Sequence, residues 1–174
     1  MQRYAAFLRG VSPMNCKMPA LAKAFESAGF RDVRTLLSSG NVVFSAARAS
    51  EATLRRKAEA AMQAALPTAF ATFIRSIDEL EVLMERNPFA GHRIAADAKR
   101  IVTFLHEAPE GIKLPAEKDG ARILAVHRRE VFTVYRPTAK GPVFMTLLDK
   151  TFGKQTTTRT WDTLAKVVKA GRAV

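Results

Sequence analysis

The residues best placed to do chemistry in this chain are Arg9 and Lys17, at the two ends of the loop-like segment that runs from Gly10 to Lys17. The segment leaves a predicted strand and enters a predicted helix. A helix N-terminus offers free N–H groups to an anion, which makes this a candidate phosphate site; the simpler reading is a plain connection. Cys16 lies in the same loop beside Lys17, a neighbour that lowers a thiol pKa, but a catalytic thiolate also needs a histidine brought to it by the fold. His92, His106 and His127 are far apart, none has a second ligand at metal-binding spacing, and His106-Glu107 lacks the second histidine of a zinc-protease helix. With a single cysteine the chain has neither an internal disulfide nor a cysteine metal cluster, so no metal or other cofactor is expected. Gly-x-x-x-x-Gly-Lys and Gly-x-Gly-x-x-Gly loops are absent. Trp161, the one tryptophan, opens a basic C-terminal helix, where it either stacks on a ligand ring or fastens the helix to the body.

Charge is the strongest compositional signal. The 174 residues carry 28 Lys and Arg against 16 Asp and Glu, a net of +12. The excess is +5 in residues 1–48, zero in 49–96, +3 in 97–140 and +4 in 141–174, so it gathers toward both ends of the chain. Such a field draws nucleic acid and phosphorylated metabolites, although a basic proteome would produce the same excess without a function. Arg9 interrupts the first apolar run too early for a signal-peptide core, and no stretch approaches the roughly 18 apolar residues of a membrane helix. The expectation is a cytoplasmic protein with no membrane partner. Oligomeric state is not legible.

The hydrophobic pattern supplies the elements that must hold these groups. Residues 3–9 alternate as a strand, Pro19 and the Leu21/Phe25 spacing mark a helix closed by Gly29, and strands follow at 30–37 and 42–45. Ser50 caps a helix to about Ala65, residues 69–75 form a fourth strand, and Ser76 with Glu79 has capping-box spacing before a further helix. The first 75 residues therefore read β-α-β-β-α-β, the order of a ferredoxin-like unit. The segment 87–98 is loop-like and separates an N-terminal subdomain, 1–86, from a C-terminal α+β subdomain, 99–174. The latter starts with a strand at 100–105, continues through a loop with one helical turn near Ala116, and then has strands 121–127 and 130–136 joined by Arg128-Arg129. A helix at 144–152 follows, and a last helix is capped by Thr160 and stopped by Gly171.

The stretch Leu36-Leu37-Ser38-Ser39-Gly40-Asn41-Val42-Val43-Phe44-Ser45 reads as a hairpin, with Gly40 and Asn41 at the two central turn positions. An RNA-recognition platform needs stacked aromatics on strands one and three; here strand three offers only Phe44, and no Arg-Gly-aromatic-Gly run precedes it.

Leu8-Arg9-Gly10, Ser39-Gly40-Asn41-Val42-Val43-Phe44 and Thr158-Arg159 with Trp161, taken together, resemble the domain of unknown function 1697 family over nearly the whole chain. The resemblance implies an α+β fold of two related halves and no established activity. Two departures stand out: the family's glycine-bearing loop is here Val11-Ser12-Pro13-Met14-Asn15-Cys16, and Thr160 replaces the asparagine before the tail tryptophan. The sequence reading is thus an α+β protein of two ferredoxin-like-related halves with C-terminal helices, acting as an anion-binding module for nucleic acid or a phosphorylated ligand. Arg9, Lys17, Arg34 and Arg159 are the candidate anion-binding residues, and Asn41 and Trp161 are the candidate positioning groups. A small-molecule enzyme with a site between the halves and a protein-interaction adaptor are the alternatives. A closed pocket with perturbed titratable groups marks the enzyme, an open basic groove the polyanion binder, and an exposed apolar patch the adaptor.

Overall fold

The computed structural model describes residues 1–114, 116–138, 141 and 143–173. The chain divides into two compact units, Met1–Glu85 with Ala165–Val174, and Arg86–Leu164. The loop-like segment 87–98 thus groups with the second unit, and the last ten residues group with the first.

The first unit contains β1 (Gln2–Leu8), α1 (Met18–Ser27), β2 (Arg31–Leu36), β3 (Asn41–Ala46), α2 (Glu51–Ala65), β4 (Thr72–Ser76) and α3 (Ile77–Arg86). The strands form an antiparallel sheet in the order β2-β3-β1-β4, the ladder of a ferredoxin-like unit. Period-two alternation puts Tyr4, Ala6, Leu8, Val42 and Phe44 on one face, where Leu21 and Phe25 of α1 and Leu54 and Met62 of α2 close over them. Phe44 sits at the centre, with the Phe30 ring 4.4 Å away and the Tyr4 and Phe25 rings each at 5.7 Å. The opposite face is buried too, through Ala5, Phe7, Val43 and Phe73. Both caps form as their residue types require: Thr53 N–H donates to Ser50 Oγ at 3.1 Å, and Ser76 and Glu79 exchange two hydrogen bonds of 3.1 Å in a capping box.

The β2–β3 connection corrects the expected two-residue turn. Leu36 pairs with Asn41, so the link is Leu37-Ser38-Ser39-Gly40, with positive φ at Leu37 (57°), Ser38 (35°) and Gly40 (86°). Asn41 is not a turn residue. It is the fully buried first residue of β3, and its side-chain amide donates to Leu36 O at 3.1 Å and Ser39 Oγ at 3.0 Å, which holds the loop closed from beneath. Gly40 is required twice over: by its positive φ, and because a Cβ there would stand 3.0 Å from the Leu8 and Val11 side chains.

The second unit contains β5 (Lys99–Leu105), β6 (Ala116–Lys118), β7 (Ala121–His127), β8 (Glu130–Tyr135), α4 (Val143–Phe152) and β9 (Thr156–Thr160), and it runs into α5 (Trp161–Arg172). Its sheet order is β6-β7-β8-β5-β9. Without β6 the order is β7-β8-β5-β9, which repeats β2-β3-β1-β4 with every pairing antiparallel. The two halves are therefore related in topology. The first crossover differs: where unit one has α1, unit two has a loop and the short edge strand β6. That strand occupies the site of the helical turn expected near Ala116. Strand β9 is not expected from the sequence pattern, in which Thr156-Thr157-Thr158-Arg159 leads directly into the last helix. Ile101, Leu105, Ile123 and Val131 pack beneath Phe144, Leu147 and Leu148 of α4. Val102, Phe104 and Phe132 are buried on the other face.

Thr160 caps α5, accepting from Thr163 N–H at 3.1 Å. The helix does not stop at Gly171 but continues to Arg172. Gly171 has a packing reason instead: a Cβ there would lie 2.3 Å from Cδ1 of Ile77 at the start of α3.

Candidate functional site

The loop between β1 and α1 is closed by its own side chains. Ser12 N–H donates to Asn15 Oδ1 at 2.9 Å, Met14 N–H to Ser12 Oγ at 3.3 Å, and Cys16 N–H to Ser12 O at 3.1 Å, while the Asn15 amide donates to Gly10 O at 2.8 Å. Several donors that would cradle an anion are thus already occupied. Lys17 is exposed at the N-cap position of α1 and its Nζ donates to Pro13 O at 3.4 Å. Arg9 is half-buried just past β1, with its backbone N–H on Ala71 O at 2.9 Å. Arg34 is exposed on the edge strand β2 and pairs with Val43, so it lies on the sheet face opposite α1 and Lys17. Asn41 shares the Arg34 face but is buried. Within this unit the candidates are distributed over two faces rather than gathered at one point. Cys16 is buried, and burial pushes its thiol above its usual range. That is the opposite of what a nucleophile needs.

Arg159 and Trp161 belong to the second unit. Arg159 is 8% exposed on β9, opposite Val102, and its Nη1 donates to Thr157 Oγ1 and Thr158 O, each at 2.8 Å. Burial pushes its pKa down to about 10. Trp161 is half-buried, edge-on to Phe89 at 5.1 Å and to Phe132 at 6.3 Å. It fastens the start of α5 to the segment 87–98 and to β8. His127 Nε2 lies 2.8 Å from Arg86 Nη1, and among the described residues no group of carboxylate, histidine and cysteine side chains is arranged to hold a metal ion.

A concave feature of the second unit lies away from the residues singled out in the sequence. An open groove of about 570 Å³ lies at the end of the β7–β8 ladder, walled by the segment 93–98, the β6–β7 turn and residues 134–136. Four cationic side chains line it: Arg93, Lys118, Arg122 and Arg136. Two of them are fixed by partners. Arg136 donates through Nε and Nη2 to Asp97 Oδ2 at 3.2 and 3.1 Å, which holds the Asp97 carboxyl below its usual range. Arg122 donates to Arg93 O at 2.7 Å and stands 4.0 Å from Glu117. Arg93 and Lys118 are exposed and make no ion pair among the described residues. The turn that frames the groove depends on Gly120 (φ 88°), whose carbonyl accepts from Arg136 N–H at 3.0 Å.

A signal for this groove was available in the sequence. Pairing strands 121–127 and 130–136 through Arg128-Arg129 places Arg122 and Arg136 at the same end of one hairpin. Arg93 and Lys118 carried no such signal, because they reach the groove from a loop and from a strand that periodicity did not reveal.

The family described as "Protein of unknown function (DUF1697)" matches residues 1–132. No curated protein matches the chain. A solved structure titled "The structure of conserved bacterial protein SP0830 from Streptococcus pneumoniae" is similar over 98% of this chain and 99% of its own, with a TM-score of 0.71 and 19% identity, a likeness of fold. Among the described residues no helix is long and apolar enough to cross a membrane.

Proposed function

The chain belongs to the DUF1697 family of proteins of unknown function, and from that premise we propose that it is an anion-binding module for nucleic acid or a phosphorylated ligand. One observation carries the reading: the open groove of the second unit, lined by Arg93, Lys118, Arg122 and Arg136. An open basic groove supports a binder more than an enzyme, whose site is expected to be closed and to contain carboxylates or bases shifted toward neutrality. Asp97, beside the groove, is shifted the other way, toward a fixed negative charge. The net charge of +12 supplies long-range attraction, and the groove supplies a place for it to act.

The test is fluorescence anisotropy at several salt concentrations, with a labelled single strand and a labelled nucleotide as probes. Four phosphate contacts to a single strand give a logarithmic salt slope of about −3, at roughly −0.7 per contact. Reversing Arg93 and Lys118 together flattens that slope by about 1.4 units if both touch phosphate. Reversing Arg9 and Lys17 together is the matching pair for the β1–α1 loop, and its effect decides whether that loop shares the ligand. No binding of either probe at about 50 mM salt, where non-specific affinity is strongest, overturns the proposal.

A further inference from the structure

Strand β2 is an outer strand of its sheet, and among the described residues no strand pairs with its free edge. The matching strand of the second unit, β7, has its free edge covered by β6. The match extends to single residues. Counted from the turn of each hairpin, Arg31 faces the fifth residue of β3, Ser45, and Arg122 faces the fifth residue of β8, Val134. Each outer strand also has its irregularity on the turn side of that arginine, between Arg31 and Arg34 and between Ile123 and Ala125. At this position in the second unit β6 sets Glu117 opposite Arg122, with 4.0 Å between carboxylate and guanidinium. In the first unit the position is open. Arg31 and Arg34 are exposed, and their side chains make no hydrogen bond or ion pair among the described residues. Both lie on the face of their partners Ser45 and Val43. Asp32, the one carboxylate of the strand, is beside Arg3, whose Nη1 donates to Asp32 O at 3.1 Å.

We infer that the free edge of β2 is a strand-addition site for an extended, acidic segment of a partner protein. Backbone hydrogen bonds along the edge supply the affinity, and alternate side chains supply the choice of partner. A segment with a carboxylate at every second residue places them all on one face, where Arg31 and Arg34 stand. A second copy of this chain is disfavoured, because antiparallel pairing of two β2 strands sets these arginines against one another. Charges and a bulge are also the ordinary protection of an exposed edge. Here the charges exclude a strand of like sign but not one of opposite sign, and beyond the bulge Arg34, Thr35 and Leu36 keep regular register with β3.

The test is an NMR titration of the isotope-labelled full chain at low salt with end-capped peptides as long as β2, which has 6 residues. The probes are Val-Glu-Val-Glu-Val-Glu, Val-Lys-Val-Lys-Val-Lys, and the acidic peptide N-methylated at every amide. The acidic peptide is expected to shift the amides of residues 31–36 and to slow their hydrogen exchange. The basic peptide binds less well, and the N-methylated one does not bind. Arg31→Glu with Arg34→Glu weakens the acidic peptide about tenfold, the scale of two lost cross-strand charge pairs, and turns the preference toward the basic peptide. Circular dichroism checks that this variant is folded; if it is not, Arg31→Gln with Arg34→Gln takes its place and gives a smaller loss with no reversal. Equal binding of the acidic and basic peptides overturns the inference, as does binding of the N-methylated one. So does an acidic peptide that shifts only the groove of the second unit, or that shifts nothing. Concentration-dependent shifts at residues 31–36 without peptide assign the edge to a second copy and also overturn it. The edge shares no residue with the groove, so its failure leaves the anion-binding reading to its own test.

Discussion

Helix α1 and the short strand β6 occupy the same place in the connectivity of their units, between the first and second strands of equivalent four-stranded ladders. Their consequences differ. In the first unit α1 packs on α2 and β2 and brings Leu21, Ala24 and Phe25 to the helix-bearing face. Phe44 then gathers Tyr4, Phe25 and Phe30 around it, and the aromatic cluster lies under the helices. In the second unit the crossover yields only three strand residues, so the sheet widens sideways and α4 packs over β6 and β7. The aromatic cluster of Phe89, Phe132 and Trp161 forms on the other face, since Phe132 alternates away from Val131, which lies under α4. The hairpin end beside β6 is left as an open, charged groove. Replacing a crossover helix by an edge strand keeps the ladder and frees one end of it, where Arg93, Lys118, Arg122 and Arg136 line the groove together with Glu117 and Asp119.

The largest effects should come from the two aromatic centres. Phe44→Ala and Phe132→Ala remove fully buried rings, and each should cost about 3–5 kcal/mol. They should differ in one readout. Phe132 touches the single tryptophan, so its truncation should shift Trp161 emission in the native state, whereas Phe44→Ala should leave the emission of the folded protein unchanged. An equal shift in both variants would break the assignment of the two clusters to separate centres. Trp161→Ala itself should cost about 3 kcal/mol, the low end for a large ring, because it is half-buried.

The same contrast explains what the sequence disclosed. The first unit was readable because its strands alternate cleanly and its helix starts carry capping residues: Ser50 and the Ser76/Glu79 pair form the bonds that their types imply. Thr156–Thr160 gave no alternation of apolar with polar, and a run of threonines beside a capping Thr160 reads as the lead-in to a helix; only pairing with β5 makes it a strand. β6 is three residues long, too short for any period, and is defined by its partner β7. The candidate site suffered for the same reason. Arg9, Lys17 and Arg34 lie close to recognisable motifs in the sequence, but strand alternation puts Arg34 on the face away from Lys17, and strand β9, which has no periodic signal, buries Arg159. The groove draws its cations from a loop, an edge strand and a hairpin end, a combination that no local spacing encodes.

Two turn glycines sharpen the comparison at smaller scale. Gly40→Ala in the first unit should cost about 2 kcal/mol, about 1 from positive φ and the rest from a Cβ at 3.0 Å from Leu8 and Val11. Gly120→Ala in the second has the same backbone sign, but its nearest neighbour would be 3.6 Å away, an ordinary contact, so it should cost only about 1 kcal/mol. Urea melts with unchanged m-values read the difference. Equal costs would mean that the β2–β3 loop yields to the added methyl, and its close approach to β1 would then have no energetic weight.

The smallest effects belong to the exposed ion pairs, one set in each unit. Arg172, near the end of α5, donates to Asp78 and Glu81 of α3, and its hydrogen bond holds Glu81 below the usual carboxylate range. Arg136 does the same for Asp97 in the second unit. Both folded-state pKa values are lowered, so the stabilisation is fully present above the ordinary carboxylate range and is lost as pH falls through the folded values. Carboxylate titration by NMR should show Glu81 returning toward about 4.3 in Arg172→Ala, and Asp97 toward about 3.9 in Arg136→Ala, the values of unperturbed side chains. Each substitution should leave the other unit's carboxylate where it was, and 1 M salt should reduce both shifts, because solvent-exposed charges are screened over about 3 Å at that strength. A Glu81 that titrates normally in the unmodified protein would remove its part of the clamp between α3 and α5. The Arg172–Asp78 pair and the close approach at Gly171 would then still join those two helices, and Gly171→Ala would measure how much of the helix pairing the close approach carries.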